Sequence, residues 1–255
     1  MMKELLIVNA GNTHIETLLV PDRTSFEQNC LSGGTRRVFS PEEFSRVWND
    51  LAEGKVIAAA SVVPEFTKKL AASGAFLVTG DKRFPFRTDR VDMSTVGADR
   101  LANASFLCGG PLPAVSVDFG TAVTFEVVEE DRSFVGGAIL PGRKLMRQAL
   151  HDHTALLPLL PLTESLSQLP SGAGKNTKEA MLLGTDLACL GGVKEVLSGI
   201  RKDLERKYPG NPVRFCGCGG DRKFFLEALP FLEEVPFLTL QGICRIWREN
   251  GGEWS

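Results

Sequence analysis

Two short stretches of this chain carry residues suited to holding an anion. "VNAGNTHIET" (8–17) and "VDFGTAVTFEVV" (117–128) each run from an apolar strand into Asn or Asp, one spacer, Gly, a nearby Thr and a second strand. A turn whose backbone N–H groups approach a phosphate needs glycine, because a Cβ blocks the close approach. Gly11 and Gly120 meet that need, and Thr13 and Thr121 add hydroxyl donors beside the turns. One glycine turn between strands is ordinary architecture. Two copies in one chain point instead to a polyphosphate gripped from two sides. Between them lies "VGADRLANASFLCGG", in which Asp99 and Arg100 open a helical pattern. A carboxylate there can act as general base toward an alcohol, and the neighbouring guanidinium can take a carboxylate bidentately. An acid favoured by the helix N-terminus beside a solvated arginine is the structural alternative.

The elements that would position these residues alternate. "LLIVNA" and "HIETLLV" are apolar enough for paired strands, and "SPEEFSRVWNDLAEG" opens a helix with Ser40 as N-cap, Pro41 at the first position and Glu43 three residues after the cap. "KVIAAASVV" is then a buried strand, "PEFTKKLAAS" a helix and "AFLVTG" another strand, an order that predicts a mostly parallel sheet flanked by helices. The second hairpin restarts the pattern. It leads into "SFVGGAILPG", "RKLMRQALHDHT", a helical tract from about Lys175 to Tyr208, the strand "PVRFCGCGG" and two further helices. A shared hairpin opening two α/β halves predicts an internal duplication, with the halves at 1–100 and 101–255, a boundary near 88–112, and ligand in the cleft between them. The stretch 158–177, rich in Pro, Ser and Gly, is expected to be an ordered loop or lid.

Composition narrows the class. Hydrophobic residues at 43% and charged residues at 24% match a globular chain of 255 residues, and no segment approaches the roughly 20 apolar residues that cross a bilayer. Lys3 and Glu4 stand before only "LLIV", far short of a secretory signal, so a cytoplasmic protein without membrane partners is expected. A net charge of -2 gives no footprint for nucleic acid and favours small-molecule partners. The cysteines at 30, 108, 189, 216, 218 and 244 fit neither a zinc site nor a CxxC redox pair and are expected to be buried free thiols. "HDH" (151–153) follows a helix, where cationic side chains suit the C-terminal dipole. Glu126 and Glu129 are expected on solvated faces, and "GRKLMRQAL" as a basic amphipathic helix with an exposed face.

In order and separation, "AGNT", "SVVP", "VGADR", "VDFGTAVTF", "GGAILPG", "GKNT" and "CGG" resemble the type III pantothenate kinases over nearly the whole chain. That family belongs to the actin-like superfamily, so the resemblance implies an α/β protein of two duplicated ribonuclease H-like domains. It also implies a phosphotransferase that phosphorylates pantothenate with ATP and Mg2+, needs K+ or NH4+, and works as a homodimer. Carried over by position, Asp99 would be the base, and Gly97, Ala98, Asp99, Arg100 and Thr177 would contact pantothenate. Asn9, Ala10, Gly11, Asn12, Thr13, His14, Ile15, Glu16 and Thr121 would hold ATP, and Asp118 the monovalent cation.

Two positions depart from the family pattern. Its first hairpin has aspartate, facing hydrated magnesium, where this chain has Asn9. The tyrosine expected upstream of GADR is missing from "RVDMSTVGADR", and Arg90 takes the nearest place by counting. A non-catalytic relative similar to the Bvg accessory factors, binding nucleotide or pantothenate, and a kinase of another small alcohol are the alternatives these departures raise.

Overall fold

The computed structural model describes residues 4–21 and 34–252. Among them the chain forms two units. The first takes the chain up to Gly110, the short piece Arg132–Phe134 and everything from Phe237 on; the second takes Pro111–Asp131 and Val135–Pro236.

In the first unit, β1 (Leu5–Ala10), β2 (Ile15–Val20), β3 (Thr35–Phe39), β4 (Val56–Ser61) and β5 (Phe76–Leu77) form a sheet in the order β3-β2-β1-β4-β5. β1 runs antiparallel to β2 and parallel to β4. Three helices accompany the sheet in sequence: α1 (Pro41–Ala52), α2 (Pro64–Ala72) and α3 (Ala98–Leu107). The start of α1 is a complete capping box: the Glu43 N–H donates to Ser40 Oγ at 3.2 Å and the Ser40 N–H to Glu43 Oε2 at 2.8 Å. Phe44 and Trp48, one turn apart, put α1's apolar face on Leu6, Val8 and Ala10 of β1, and Phe66 and Leu70 of α2 complete that core.

The second unit repeats the plan. β6 (Ala114–Phe119), β7 (Ala122–Val128), β8 (Ile139–Pro141), β9 (Arg214–Cys218) and β10 (Glu233–Glu234) pair in the order β8-β7-β6-β9-β10, with the same antiparallel and parallel partners. α4 (Arg143–Asp152) and the 31-residue α5 (Thr177–Lys207) fall between β8 and β9, and α6 (Arg222–Ala228) between β9 and β10. Val193 and Leu197 of α5 and Phe224 and Phe225 of α6 cover Val115, Val117 and Phe119. The Phe119 and Phe225 rings stack with centroids 4.3 Å apart. Matched strand orders in the two units bear out the duplication expected from the repeated hairpin, in the ribonuclease H-like form that the family resemblance implies.

The final helix, α7 (Leu238–Glu249), belongs to the first unit and lies along α3. Gly242 permits this approach, since a Cβ there would overlap the Ala102 backbone.

Several local expectations change. "AFLVTG" pairs over two residues only, Phe76 and Leu77. Glu126 and Glu129 are buried, not solvated: Ser116 Oγ donates to Glu126 Oε2 at 2.8 Å, while Lys207 Nζ and the Tyr208 hydroxyl donate to Glu129 at 2.6 and 3.1 Å. Ser116, directly across the hairpin, and Lys207 and Tyr208, 78 and 79 positions on, meet the acids inside the fold, where a carboxylate is stable only when hydrogen-bonded. Cys108, Cys189, Cys216, Cys218 and Cys244 are buried free thiols, and burial pushes Cys216 up to about 12, so it stays protonated and inert. Cys30 lies outside the described residues. No described helix is long and apolar enough to cross a membrane.

Candidate active site

The first hairpin turns tightly. The Gly11 N–H donates to the His14 carbonyl at 3.1 Å, and Ala10 and Ile15 close the ladder with buried side chains. Asn12 and His14 are exposed at the tip, while Asn9, Gly11, Thr13 and Glu16 are half-buried. Asn9 stands directly across the ladder from Glu16.

Beside this hairpin, "SVVP" ends β4. The Val62 N–H donates to the Ala10 carbonyl at 3.1 Å, and Ser61 Oγ donates to the Val63 carbonyl at 3.1 Å. Val62 also reaches the start of α3, its Cγ1 lying 3.6 Å from where a Cβ on Gly97 would sit. The first unit thus brings the hairpin and Gly97–Arg100 together through one residue.

Gly97 is the N-cap of α3, and a Cβ on it would stand 2.7 Å from Asp99 Oδ1. Glycine leaves room for that carboxylate to fold back, where Oδ1 accepts the Arg100 N–H at 2.8 Å. Burial raises the Asp99 carboxyl above the usual range, against the downward pull of the Arg100 N–H and charge. Ala98 is buried and Arg100 half-buried.

The second hairpin holds Asp118 and Thr121, both half-buried. Asp118 lies opposite Thr124 on β7 and beside Cys218 on β9. Two glycine-dependent contacts press on this turn. Gly142, N-cap of α4, donates its N–H to the Thr121 carbonyl at 2.9 Å, and a Cβ on it would lie 2.6 Å from that oxygen. Gly219, at φ +93°, sits against the Asp118 carboxylate, and its Cβ would come within 2.6 Å of the Phe119 nitrogen. The "GG-x-I-x-PG" and "CGG" stretches are therefore the walls of the Asp118 turn.

Behind those walls is a buried ionic cluster that the sequence reading missed. Arg143, the first residue of α4, forks onto Asp221, its Nε donating to Oδ2 at 2.7 Å, and gives Nη1 to Thr163 Oγ1 at 3.0 Å and Asp186 Oδ2 at 3.2 Å. Arg147, one turn on, donates to both Asp186 oxygens at 2.6 and 2.7 Å and to the Pro161 carbonyl. The guanidinium of Arg143 lies 3.6 Å over the Phe224 ring. Both arginines and Asp186 are fully buried, which corrects the expectation of an exposed basic face. The cluster ties α4, α5 and the 158–176 stretch to the Asp118 turn, since the Asp221 N–H donates to the Phe119 carbonyl at 3.0 Å. Its one local signal was the four-residue spacing of the arginines; the acids stand 39 and 78 positions away.

Thr177 of "GKNT" is the first, exposed residue of α5, and Asn176 caps the helix by accepting the Glu179 N–H at 3.0 Å. Thr177 lines an apolar groove of about 970 Å³ between α4 and α5, with Met146, Leu150, Leu157 and Met181 along its walls.

The type III pantothenate kinase family model matches residues 5–199, a span that includes both hairpins, Gly97–Arg100, the GG-x-I-x-PG stretch and Thr177. A type III pantothenate kinase of Chlorobaculum tepidum is 30% identical, covering 96% of this chain and 94% of the relative. One from Methylacidiphilum infernorum is 41% identical over 58% of this chain and 53% of its own length. Among solved structures, a Baf family protein from Campylobacter jejuni shares the fold with a TM-score of 0.59 at 17% identity, covering 97% of this chain and all of that one at 100%. Together with the duplicated fold, a match running from the first strand into the long helix shows that the chain belongs to the type III pantothenate kinase family.

Proposed function

We propose that the protein transfers the γ-phosphoryl group of ATP to the terminal hydroxyl of pantothenate, giving 4'-phosphopantothenate on the route to coenzyme A in the cytoplasm. The observation that carries the reading is Asp99: a half-buried carboxyl with a raised proton affinity, joined through Val62 to the hairpin suited to phosphates. A general base works best when its pKa lies nearer the working pH, and burial moves Asp99 that way.

In this reading Asp99 takes the hydroxyl proton while Gly97, Ala98 and Arg100 orient pantothenate, Arg100 by pairing with its carboxylate. Residues Asn9–Glu16 and Thr121 hold the phosphates through backbone N–H groups and hydroxyls. Phosphoryl transfer suits such a site because its catalysis is chiefly alignment and charge neutralisation. Magnesium, when bound, would neutralise phosphate charge; the Asn9 amide oxygen is a fitting acceptor for the waters of its shell. Asp118 offers a carboxylate oxygen against a glycine that leaves space beside it, a fit for K+ or NH4+.

Homodimerisation completes the proposal. Leu156 is 90% exposed, and Ile139, Leu145, Leu159 and Leu187 are also open, a concentration of apolar side chains in the unit carrying the α4–α5 groove. A second copy covering them would enclose Thr177, and light scattering should report twice the chain mass.

The test is ADP release by the purified protein with ATP, Mg2+, K+ and pantothenate, with the phosphorylated product identified by mass. Turnover should require pantothenate and vanish in Asp99→Asn. Nucleotide binding without phosphorylated pantothenate would overturn the reading in favour of a binding-only relative. Turnover with other alcohols alone would point to a different acceptor.

A further inference from the structure

The two hairpins present their carboxylates from opposite strands. Asn9 is the fifth residue of the six in β1 and Asp118 the fifth of the six in β6, and the two strands share the same succession of buried and half-buried positions. Across the ladder, Asn9 meets Glu16 and Asp118 meets Thr124. On this rung each hairpin therefore carries one carboxylate and one neutral oxygen-bearing side chain, with the strands exchanged. Directly opposed residues of an antiparallel pair point to the same face with Cβ atoms about 4.5–5.5 Å apart, so a glutamate reaches the space its neighbour faces.

The carboxylate at 16 is also restrained. Arg36 on β3 donates Nη2 to Glu16 Oε1 at 2.6 Å, and its guanidinium lies 4.8 Å from the centroid of the Phe237 ring at the start of α7. That contact engages one oxygen. Oε2 has no hydrogen-bond partner among the described residues, and the Glu16 side chain is 29% exposed. An oxygen anion next to Asn9, held from one side and open on the other, suits a hard divalent cation that keeps much of its water.

We propose that Glu16 is the carboxylate of the first hairpin that faces the magnesium accompanying ATP, with Arg36 as its positioning residue. Asn9 then shares the rung as a neutral oxygen donor, and the charge lacking on β1 is supplied from β2. This inference rests on the ATP-binding reading above.

The experiment is calorimetric titration of the full chain with ATP, without pantothenate, once in excess Mg2+ and once in excess chelator. The ratio of the two affinities measures the contribution of the metal. Glu16→Gln keeps size and shape; it should lower that ratio by about tenfold or more, because the carboxylate favours ATP with its metal and repels ATP without it. Adding Asn9→Asp to Glu16→Gln should restore the ratio, because the charge returns to the same rung from the other strand. An unchanged ratio in Glu16→Gln, or no recovery in the double variant, would overturn the proposal while leaving ATP binding intact. Absence of ATP binding in the natural protein, with and without metal, would instead refute the kinase reading and the proposal with it.

Discussion

Asp186→Asn tests the ionic cluster behind the second hairpin. Arg143, Arg147, Asp186 and Asp221 form a set whose formal charges sum to zero. Asp186 is fully buried and accepts from Arg143, Arg147 and Thr163, the last at 2.8 Å. An amide of the same shape leaves the set with one uncompensated positive charge and puts an NH2 where both oxygens now accept. Breaking a buried pair from one side costs about 3–5 kcal/mol, a large share of the ~5–15 kcal/mol that holds a typical domain. At about 2–4 °C per kcal/mol for a chain of this length, the melting temperature should fall by roughly 10 °C.

Calorimetric melts and urea titrations of the natural protein and two variants measure this. Asp203→Asn is the control: Asp203 pairs with Arg206 at 2.7 Å and Lys207 at 3.2 Å, but its side chain is 44% exposed, so the loss should stay below about 1 kcal/mol. A third protein combines Arg147→Met with Asp186→Leu, removing one charge of each sign and leaving Arg143 to pair with Asp221. It should melt above Asp186→Asn, because apolar replacement of a whole buried pair is often neutral while an orphaned charge is not. If Asp186→Asn shifts the melt no more than Asp203→Asn does, the argument from buried charge is wrong.

Three further outcomes follow from the site. Gly142→Ala drives a Cβ to 2.6 Å from the Thr121 carbonyl and closer still to that of Gly120, both backbone atoms, so α4 must back away from the turn; ATP affinity should weaken well beyond any loss of helix content, read by titration beside circular dichroism. Gly97→Ala sets a methyl 2.7 Å from Asp99 Oδ1, which the carboxylate can escape by rotating; kcat should fall with little change in melting temperature, and equal turnover would remove the role given to Gly97. Asp99→Asn carries a pH signature. Burial raises the folded carboxyl, so stability linked to its proton is fully present below the unfolded value of about 3.9 and is lost as pH rises through the folded value. At pH 7 the ionised acid is therefore a burden on the fold, and Asp99→Asn should be inactive yet melt no lower than the natural protein. A lower melting temperature at pH 7, or one that improves relative to the natural protein as pH falls, contradicts the sign of this effect.

How much of this was legible depended on whether the information was local. The glycine turns, the Ser40–Glu43 capping box and the duplicated strand order follow from residues within a few positions of one another, where spacing and steric demand act directly. The return of α7 to the first unit was not local: its partner α3 lies more than a hundred residues earlier, and only Gly242, at first sight a poor helix residue, hinted at a close backbone approach. Glu126, Glu129, Arg143 and Arg147 misled for one shared reason, because a charged side chain in a strand or amphipathic helix is solvated by default unless a partner is known. Ser116 reaches Glu126 through the register of its hairpin, and Lys207, Asp186 and Asp221 reach the others only through the packing of α4, α5 and α6. The Asn9–Glu16 rung stands between the two cases. Both residues are visible in "NAGNTHIE", but a four-residue turn in the first hairpin and a shorter one in the second set their registers, and a slip of one residue would send Glu16 to the opposite face of the sheet. Whether Glu16 shares a face with Asn9 is thus decided by turn length, and a reading by aligned position alone finds only the missing aspartate.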